Sequence, residues 1–328
     1  EFSDFQDVLE RFYESALVPY QFDGGIFALP ETQSFPMLFY RIDVMEELGL
    51  RVPQTWDDVF DILPVIQKNH MEFGIPVSTT QYPGAGMTSF CMLLYQRDGR
   101  LYKEGGIASG LDEEESIEAF KNWTELYLNY KLPLEYDFAN RFRIGEMPIG
   151  IADYQTYNYL SVFAPEIRGL WDFAPVPGIQ KSDGTIDRSV PSGGTAAFIL
   201  KDTKEKDASW EFLKWWTSDE TQERFGREME SLLGSAARYP TANINALEKL
   251  PWPVKDYKNL KNQWKWVQGN PEVPGGYFTP RHMDNAFRKV IYDGEDSRET
   301  ILDYVRNIND EITNKRIEFG LPTLEDMD

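Results

Sequence analysis

The chain has 328 residues, 41% of them hydrophobic and 27% charged, so a packed globular protein with two lobes is expected. Its formal net charge of −21 argues against nucleic-acid binding and against adsorption on an anionic membrane, because like charges repel. The one cysteine, Cys91, excludes an internal disulfide and lies in an apolar run, so it is interpreted as a small buried side chain.

Short apolar runs alternate with amphipathic segments, which predicts an α/β fold. Residues 35–40 predict a buried strand. A helix is expected after Thr55, because Thr55 and Asp58 have the spacing of a capping box. Pro64 is expected to interrupt or kink that helix, since proline lacks a backbone N–H.

The middle of the chain continues this alternation. A helix after Asp112 is predicted from apolar residues at spacings of three and four. These residues are Ile117, Phe120, Trp123, Tyr127 and Tyr130. Strands are predicted at 147–152 and 196–200, and a helix at 206–225. The side chains expected to be buried by that helix are Ala208, Phe212 and Trp215 or Trp216.

The C-terminal part is predicted to be mainly helical. Residues 240–276 contain several prolines, which favours short helices and loops. The last helix is expected to begin at Ser297 and to end at Gly320 and Pro322. Its predicted buried stripe is Ile301, Tyr304, Val305, Ile308 and Ile312.

The sequence contains little that points to catalysis. His70 and His282 are isolated and lack a metal-binding spacing, and no serine-hydrolase elbow occurs. The glycines of 84–86 are interpreted as a loop rather than a phosphate cradle. With 54 acidic residues, a facing pair of carboxylates remains open, so a glycoside hydrolase stays as an alternative. No catalytic residue, metal or cofactor is predicted.

Several segments, taken in order, resemble motifs of the family-1 extracellular solute-binding proteins, which include the maltose-binding protein. The quoted segments are Gly24 to Pro30, Leu38 to Arg41, Asp43 to Val59, Phe142 to Ile151, Val176 to Gly178, Ser192 to Leu200, Ala208 to Trp215 and Gly294 to Ser297. Arg41 stands where the family usually has asparagine. The resemblance implies a two-lobed, type II periplasmic-binding-protein-like α/β fold.

One departure from the family concerns the first motif. Gly24 to Pro30 resembles a segment that the family places after about a hundred residues, which implies that the N-terminal lobe is incomplete here. The expected division assigns 1–35 and 192–238 to the remnant of this lobe. The C-terminal lobe is then expected to consist of 36–191 and 239–328.

The resemblance implies the substrate-binding component of an ABC importer. Such a protein binds an oligosaccharide in a cleft between its lobes and delivers it to the permease subunits of the transporter. A monomer is expected, located outside the cell as a surface lipoprotein or in the periplasm, with the anchor outside this chain. A non-sugar solute such as a polyamine remains an alternative ligand.

Sugar sites combine aromatic platforms with polar side chains, so the candidate ligand residues are sought in loops and after strands. Asp153, Tyr154 and Tyr157 follow the strand at 149–152, with Tyr154 as the expected platform. Gly193 and Gly194 precede a strand and indicate either close approach of a ligand or a crossing turn. The remaining candidates are Glu31, Tyr82, Arg238 and Tyr239.

Overall fold

The computed structural model describes residues 2–78 and 84–326. The α-helices in these residues are α1 (Phe5–Leu9), α2 (Glu14–Leu17), α3 (Ile42–Glu47), α4 (Trp56–Lys68), α5 (Gly86–Tyr95), α6 (Glu114–Leu128), α7 (Phe138–Ile144), α8 (Thr156–Phe163), α9 (Lys206–Trp216), α10 (Asp219–Leu233), α11 (Ile244–Lys249), α12 (Val254–Trp264), α13 (Thr279–Arg288) and α14 (Ser297–Glu318). None of them is long and apolar enough to cross a membrane.

The strands are short apart from those of one sheet. They are β1 (Gln21–Phe22), β2 (Gly25–Ile26), β3 (Leu29–Pro30), β4 (Pro36–Arg41), β5 (Phe73–Gly74), β6 (Ile149–Asp153), β7 (Trp171–Ala174), β8 (Ile179–Gln180), β9 (Ile186–Asp187), β10 (Val190–Ser192), β11 (Ala196–Ala197) and β12 (Val267–Gly269). The central sheet has the order β5-β6-β4-β7, in which β4 runs antiparallel to both neighbours. The α/β class expected from the sequence is therefore confirmed.

Hydrophobic side chains form two separate clusters. The large core extends through residues 35–190 and 247–312 and encloses the central sheet. The small core joins the N-terminal helices to α9. Its members are Val8, Phe12, Ala16, Leu17, Leu29, Trp210, Leu213 and Ala242. Phe2 stacks on Trp210 with ring centroids 4.6 Å apart, so the small core depends on contacts between distant parts of the chain.

Three chain segments cross between the two cores side by side. Glu31 N–H donates to the Thr195 carbonyl, and Ala242 N–H donates to the Glu31 carbonyl. Ser34 pairs with Gly193 in both directions, through hydrogen bonds of 2.8 and 3.0 Å. The segment at about 31–35 is thus hydrogen-bonded to both of the other crossing segments, at about 192–195 and 239–242, and the three together are called the hinge.

Several predicted elements agree with the structure. The strand predicted at 35–40 is β4, and Thr55 and Asp58 form the expected capping box at the start of α4. The last helix buries Ile301, Val305, Ile308 and Ile312 as predicted. Its N-cap is Asp296 rather than Ser297, because the Asp296 carboxylate accepts the Glu299 N–H.

Other predictions need correction. Helix α4 continues through Pro64, since Ile62, Leu63 and Ile66 are buried on either side and their packing offsets the missing hydrogen bond. The strand predicted at 196–200 is limited to β11, because only Ala196 and Ala197 have a partner strand.

The single helix predicted at 206–225 is two helices, α9 and α10, with Ser218 capping the second. The buried face of α9 carries Trp210 and Leu213, so the expected burial of Ala208 and Phe212 is wrong. Phe212 and Trp215 are 57% and 55% exposed. The exposed large apolar residues around the small core also include Phe27, Phe198, Leu200, Leu232 and Leu233.

Candidate functional site

A cavity of about 1130 Å³ lies beside the crossing segments and is called the cleft here. Its floor is the end of β6, and its walls come from the loops before α5 and α7, from helix α8 and from two crossing segments. The polar and aromatic residues of its lining include Ser34, Thr88, Glu135, Tyr136, Asp137, Phe138, Asp153, Thr156, Tyr159, Ser192 and Asn270, and Gly193 also lines it.

A second cavity of about 270 Å³ adjoins the cleft on the side of the small core. Ser192, Gly193 and Asn270 line both, so the two cavities share part of their wall. The smaller cavity is completed by Tyr20 from the segment after α2, Gln33 from the first crossing and Glu272 from the segment after β12. A ligand in the cleft would therefore contact segments associated with both cores.

The chain path explains why polar groups gather in the cleft. Strand β6 is buried along Ile149–Ile151 and ends at Asp153, so the side chains that follow emerge at the sheet edge. Asn270 follows β12 in the same way, and its Oδ1 accepts a hydrogen bond of 2.6 Å from the Tyr95 hydroxyl. That bond fixes the amide and leaves its Nδ2 as the donor for a ligand hydroxyl.

Asp153, a predicted ligand residue, lines the cleft. The residue is half-buried, yet its carboxyl group is desolvated, and this burial raises its pKa. Hydrogen bonds from the Ser34 hydroxyl and from the Gln155 N–H oppose that rise. Asp153 is thus a hydrogen-bond acceptor held at the floor of the cavity.

Tyr154 lies elsewhere, and its predicted role as a ligand platform needs correction. Its side chain is 1% exposed, and its ring packs against Phe35 at a centroid distance of 4.9 Å. Its hydroxyl donates to the Gln33 carbonyl at 3.0 Å. Because the ring is enclosed by the large core, neither of its faces is available to a sugar in this structure.

Tyr157 is half-buried and turned away from the cleft, with its hydroxyl 2.6 Å from Asp256 Oδ2. The aromatic residue that does line the cleft is Tyr159, which is 49% exposed. Thr156 and Tyr159 are three positions apart on α8 and share the face toward the cavity. Sequence reasoning missed Tyr159, although the phase of a helix beginning at Thr156 would have indicated it.

The two predicted glycines have different environments. Gly193 lines both cavities, and a Cβ atom there would meet nothing within 4 Å. A Cβ at Gly194 would lie 2.0 Å from the Thr32 carbonyl oxygen, so the close approach of two crossing segments requires glycine there. Gly194 also lines the smaller cavity. The crossing-turn interpretation therefore accounts for Gly194.

Glu31 and Tyr239 lie at the hinge and line neither cavity. The Glu31 carboxylate accepts from the Trp216 indole N–H and from the Thr195 hydroxyl, each at 3.2 Å. Burial raises the pKa of the Tyr239 phenol, and the nearby charge of Glu31 raises it further. Both side chains belong to a polar cluster on the side of the small core. Tyr82 lies outside the described residues, while Gly84, two positions later, lines the cleft.

Arg238 is buried behind the cleft, where it does not reach the cavity. Its Nη2 and Nε donate to the two carboxylate oxygens of Glu230 at 2.6 and 3.0 Å. The guanidinium carbon lies 4.4 Å from the centre of the Trp252 ring. This clamp joins α10, near the small core, to the large core, so the predicted ligand role of Arg238 is corrected to a structural one.

The charged side chains that line the two cavities are all acidic among the described residues. Glu135, Asp137 and Asp153 line the larger cavity and Glu272 the smaller, and the part of the lining that the structure describes contains no lysine, arginine or histidine. Across residues 2–78 and 84–326, no group of three or more His, Cys, Asp or Glu side chains is arranged to hold a metal ion.

Two hydrophobic cores joined by adjacent crossing segments, with a polar and aromatic cleft beside them, are features of the periplasmic-binding-protein-like α/β fold. The sequence matches the family of bacterial extracellular solute-binding proteins over residues 3–223. The chain belongs to this family.

Relatives and solved structures agree with that assignment. The chain is 27% identical to the maltotriose-binding protein of Pyrococcus abyssi over 220 residues, covering 65% of this chain and 45% of the relative. It is 23% identical to the arabinooligosaccharide-binding protein of Bacillus subtilis over 271 residues, covering 79% and 56%. The chain thus spans about half the length of these relatives.

The fold is similar to that of the sugar-binding protein MalE from Xanthomonas citri, with a TM-score of 0.77 at 18% identity. The match covers 95% of this chain and 77% of that structure. The type II fold expected from the sequence is confirmed by this likeness.

Proposed function

We propose that the chain is the substrate-binding component of an ABC importer, binding an oligosaccharide in the cleft and delivering it to the membrane permease. The observation that carries the proposal is the cleft itself, in which the exposed ring of Tyr159 lies among hydroxyl, amide and carboxylate groups. Aromatic rings pack against the apolar faces of sugars, and polar groups bind the hydroxyls at their edges. Both curated relatives are named for the oligosaccharides they bind.

The division expected from the sequence suits this proposal. Residues 1–35 and 192–238 form one lobe, and 36–191 and 239–328 form the other, with the three crossing segments between them. The two hydrophobic cores support this division, although Ala242 packs with the small core. Ligand bound to both sides favours the closed arrangement of the lobes. Asp153, Gly193, Asn270 and Tyr159 contact the ligand from the large core and hinge, with Glu31 and Tyr239 as further candidates on the side of the small core.

Replacing Tyr159 by alanine should lower affinity for a bound oligosaccharide about tenfold or more, because the ring supplies the apolar contact with the sugar. Titration calorimetry with maltotriose and with an arabinose trimer measures this. Tyr292→Ala is the matched control, since Tyr292 is 62% exposed and does not line the cleft. Equal affinities of the two variants would remove Tyr159 from the site.

We further propose that the protein binds the sugar without hydrolysing it. It is also proposed to act as a monomer and to be attached outside the cell as a lipoprotein. The absence of new reducing ends after prolonged incubation with either trimer supports binding alone. Release of reducing ends that is lost in Asp153→Asn would instead establish a glycoside hydrolase, because such enzymes need a pair of carboxylates in the cleft.

The small lobe is proposed to be incomplete in this chain. Its β3–β11 sheet has two strands, and Phe27, Phe198, Phe212 and Trp215 around it are each more than half exposed. Such a surface is typical of a face that other polypeptide covers. The 328-residue chain is therefore expected to bind a hydrophobic dye strongly. A longer version that supplies the missing lobe segment should bind several-fold less, and equal dye binding would contradict the proposal.

A further inference from the structure

The carboxylates that line the two cavities have no cationic partners among the residues that the structure describes. Among the described residues, no ion pair involves Glu135, Asp137, Asp153 or Glu272. Asp137 accepts the Asn140 N–H as the N-cap of α7, and Asp153 accepts from Ser34 and Gln155. These bonds orient the two carboxylates but leave their negative charge uncompensated.

Two carboxylates elsewhere in the large core do have cationic partners. Asp172, which is 8% exposed, is neutralised by Lys255, and Asp187 lies 3.5 Å from Lys181. These two carboxylates have a cation within 4 Å, whereas those that line the two cavities have none among the described residues. The segment 79–83, next to the cleft in the chain, has the sequence Thr-Thr-Gln-Tyr-Pro and contributes no basic residue either.

A cavity lined by charges of one sign concentrates the electric field within it, because its walls polarise poorly and solvent screens it less than an open surface. The net charge of −21 adds to the same potential. A ligand that carries a carboxylate or phosphate meets repulsion on entry, while a ligand with a protonated amine is attracted. A neutral sugar is neither favoured nor opposed by this charge.

We propose that the cleft selects its glycan by charge, binding an oligosaccharide with protonated amino groups ahead of its neutral counterpart and rejecting the corresponding uronic acid. This inference rests on the proposed binding function and names the class of ligand for the same site. The amine is placed near Asp153 and the loop carrying Glu135 and Asp137, while Tyr159 packs on a sugar face.

Binding of sugar trimers that differ in one substituent tests the proposal. The trimers are cellotriose, the glucosamine trimer with free amines, and cellotriose oxidised to the uronic acid at C6, with maltotriose as a second neutral sugar. Calorimetry at low salt should show the amino trimer about tenfold tighter than cellotriose, and the uronate at least tenfold weaker. The preference should shrink as ionic strength rises.

A variant without the cleft charges separates charge from shape. Glu135→Gln, Asp137→Asn and Asp153→Asn remove three charges with little change of volume, and asparagine still caps α7. The control is Glu47→Gln, Asp61→Asn and Asp310→Asn, which alters the net charge equally at exposed positions outside the cleft. The cleft variant should bind amino and neutral trimers within about twofold of each other, and the control should keep the wild-type order.

The outcomes distinguish this inference from the proposed function. Equal binding of the three cellotriose-type trimers by the wild type overturns charge selection and leaves sugar binding intact. Preference for the amino trimer that persists in the cleft variant also overturns it. Failure of all four sugars to bind contradicts both proposals. Spermidine binding as tight as the amino trimer would assign the cleft to polyamines and contradict the glycan class.

Discussion

Replacing Glu230 by alanine should lower the free energy of unfolding by about 3–5 kcal/mol, the usual cost of leaving one member of a buried ion pair without its partner. Arg238 is 8% exposed, and its Nε and Nη2 atoms both donate hydrogen bonds to the Glu230 carboxylate. Its guanidinium also packs over Trp252, which holds it in place after the partner is removed. Thermal or urea unfolding measures the loss.

The control for this prediction is Glu228→Ala. Glu228 pairs with Arg224 on the same helix, and both side chains are more than half exposed, so the change should cost less than about 0.5 kcal/mol. Combining Glu230→Ala with Arg238→Met should recover part of the loss, because the buried charge is gone. Equal stability of the two single variants would show that the clamp contributes nothing.

Replacing Tyr154 by alanine should lower the free energy of unfolding by about 3–5 kcal/mol, since it removes a large ring from a closed part of the core. The ring lies 4.9 Å from that of Phe35 and 6.3 Å from that of Trp252, measured between centroids. Tyr154→Phe should cost about 1–3 kcal/mol, because the Gln33 carbonyl loses its buried donor. Chemical unfolding curves of both variants measure these values.

Tyr159→Ala is the comparison that separates stability from binding. Tyr159 is half exposed, so its loss should change stability little while reducing sugar affinity. Tyr154→Phe should do the reverse, destabilising the fold and leaving affinity within about twofold. An affinity loss in Tyr154→Phe as large as that of Tyr159→Ala would return Tyr154 to the ligand site.

The sequence predicted those parts of the fold that local chemistry determines. The capping box of Thr55 and Asp58 and the apolar stripe of α14 depend on neighbours within one or two turns, and both appear in the structure. The family motifs likewise indicated the class of fold correctly. Local patterns of this kind are independent of how the rest of the chain packs.

The burial of α9 shows what the sequence left undetermined. Phe212 and Trp210 both occur at plausible helical spacings, and the contacts of Trp210 with the distant residues Phe2 and Phe5 accompany the face that turns inward. Because Trp210 turns inward, Phe212 and Trp215 lie on the exposed face of α9. Tertiary contacts across such distances have no local signature in the sequence.

The candidate site was predicted in part, for a related reason. Asp153 was indicated by the rule that ligand groups gather after strands, and Gly193 and Gly194 were indicated as positions for close approach of a ligand or for a crossing turn. Choosing among Tyr154, Tyr157 and Tyr159 requires the phase of α8, which is set by the turn that follows β6. The tyrosine that lines the cleft, Tyr159, lies five positions after the expected platform, Tyr154, which is buried in the core.

The pairing of the N-terminal helices with α9 has a consequence for the order in which the protein forms during synthesis. The Trp210 indole N–H donates to Asp4 at 2.7 Å across 206 positions, and Ala242 completes the same cluster. Asp4 and the helices α1 and α2 must therefore wait until Trp210 and Ala242 have been synthesised before they find these partners. Closing so long a loop costs entropy, so formation of this cluster should be a late step, with the apolar residues of α1 and α2 exposed until then.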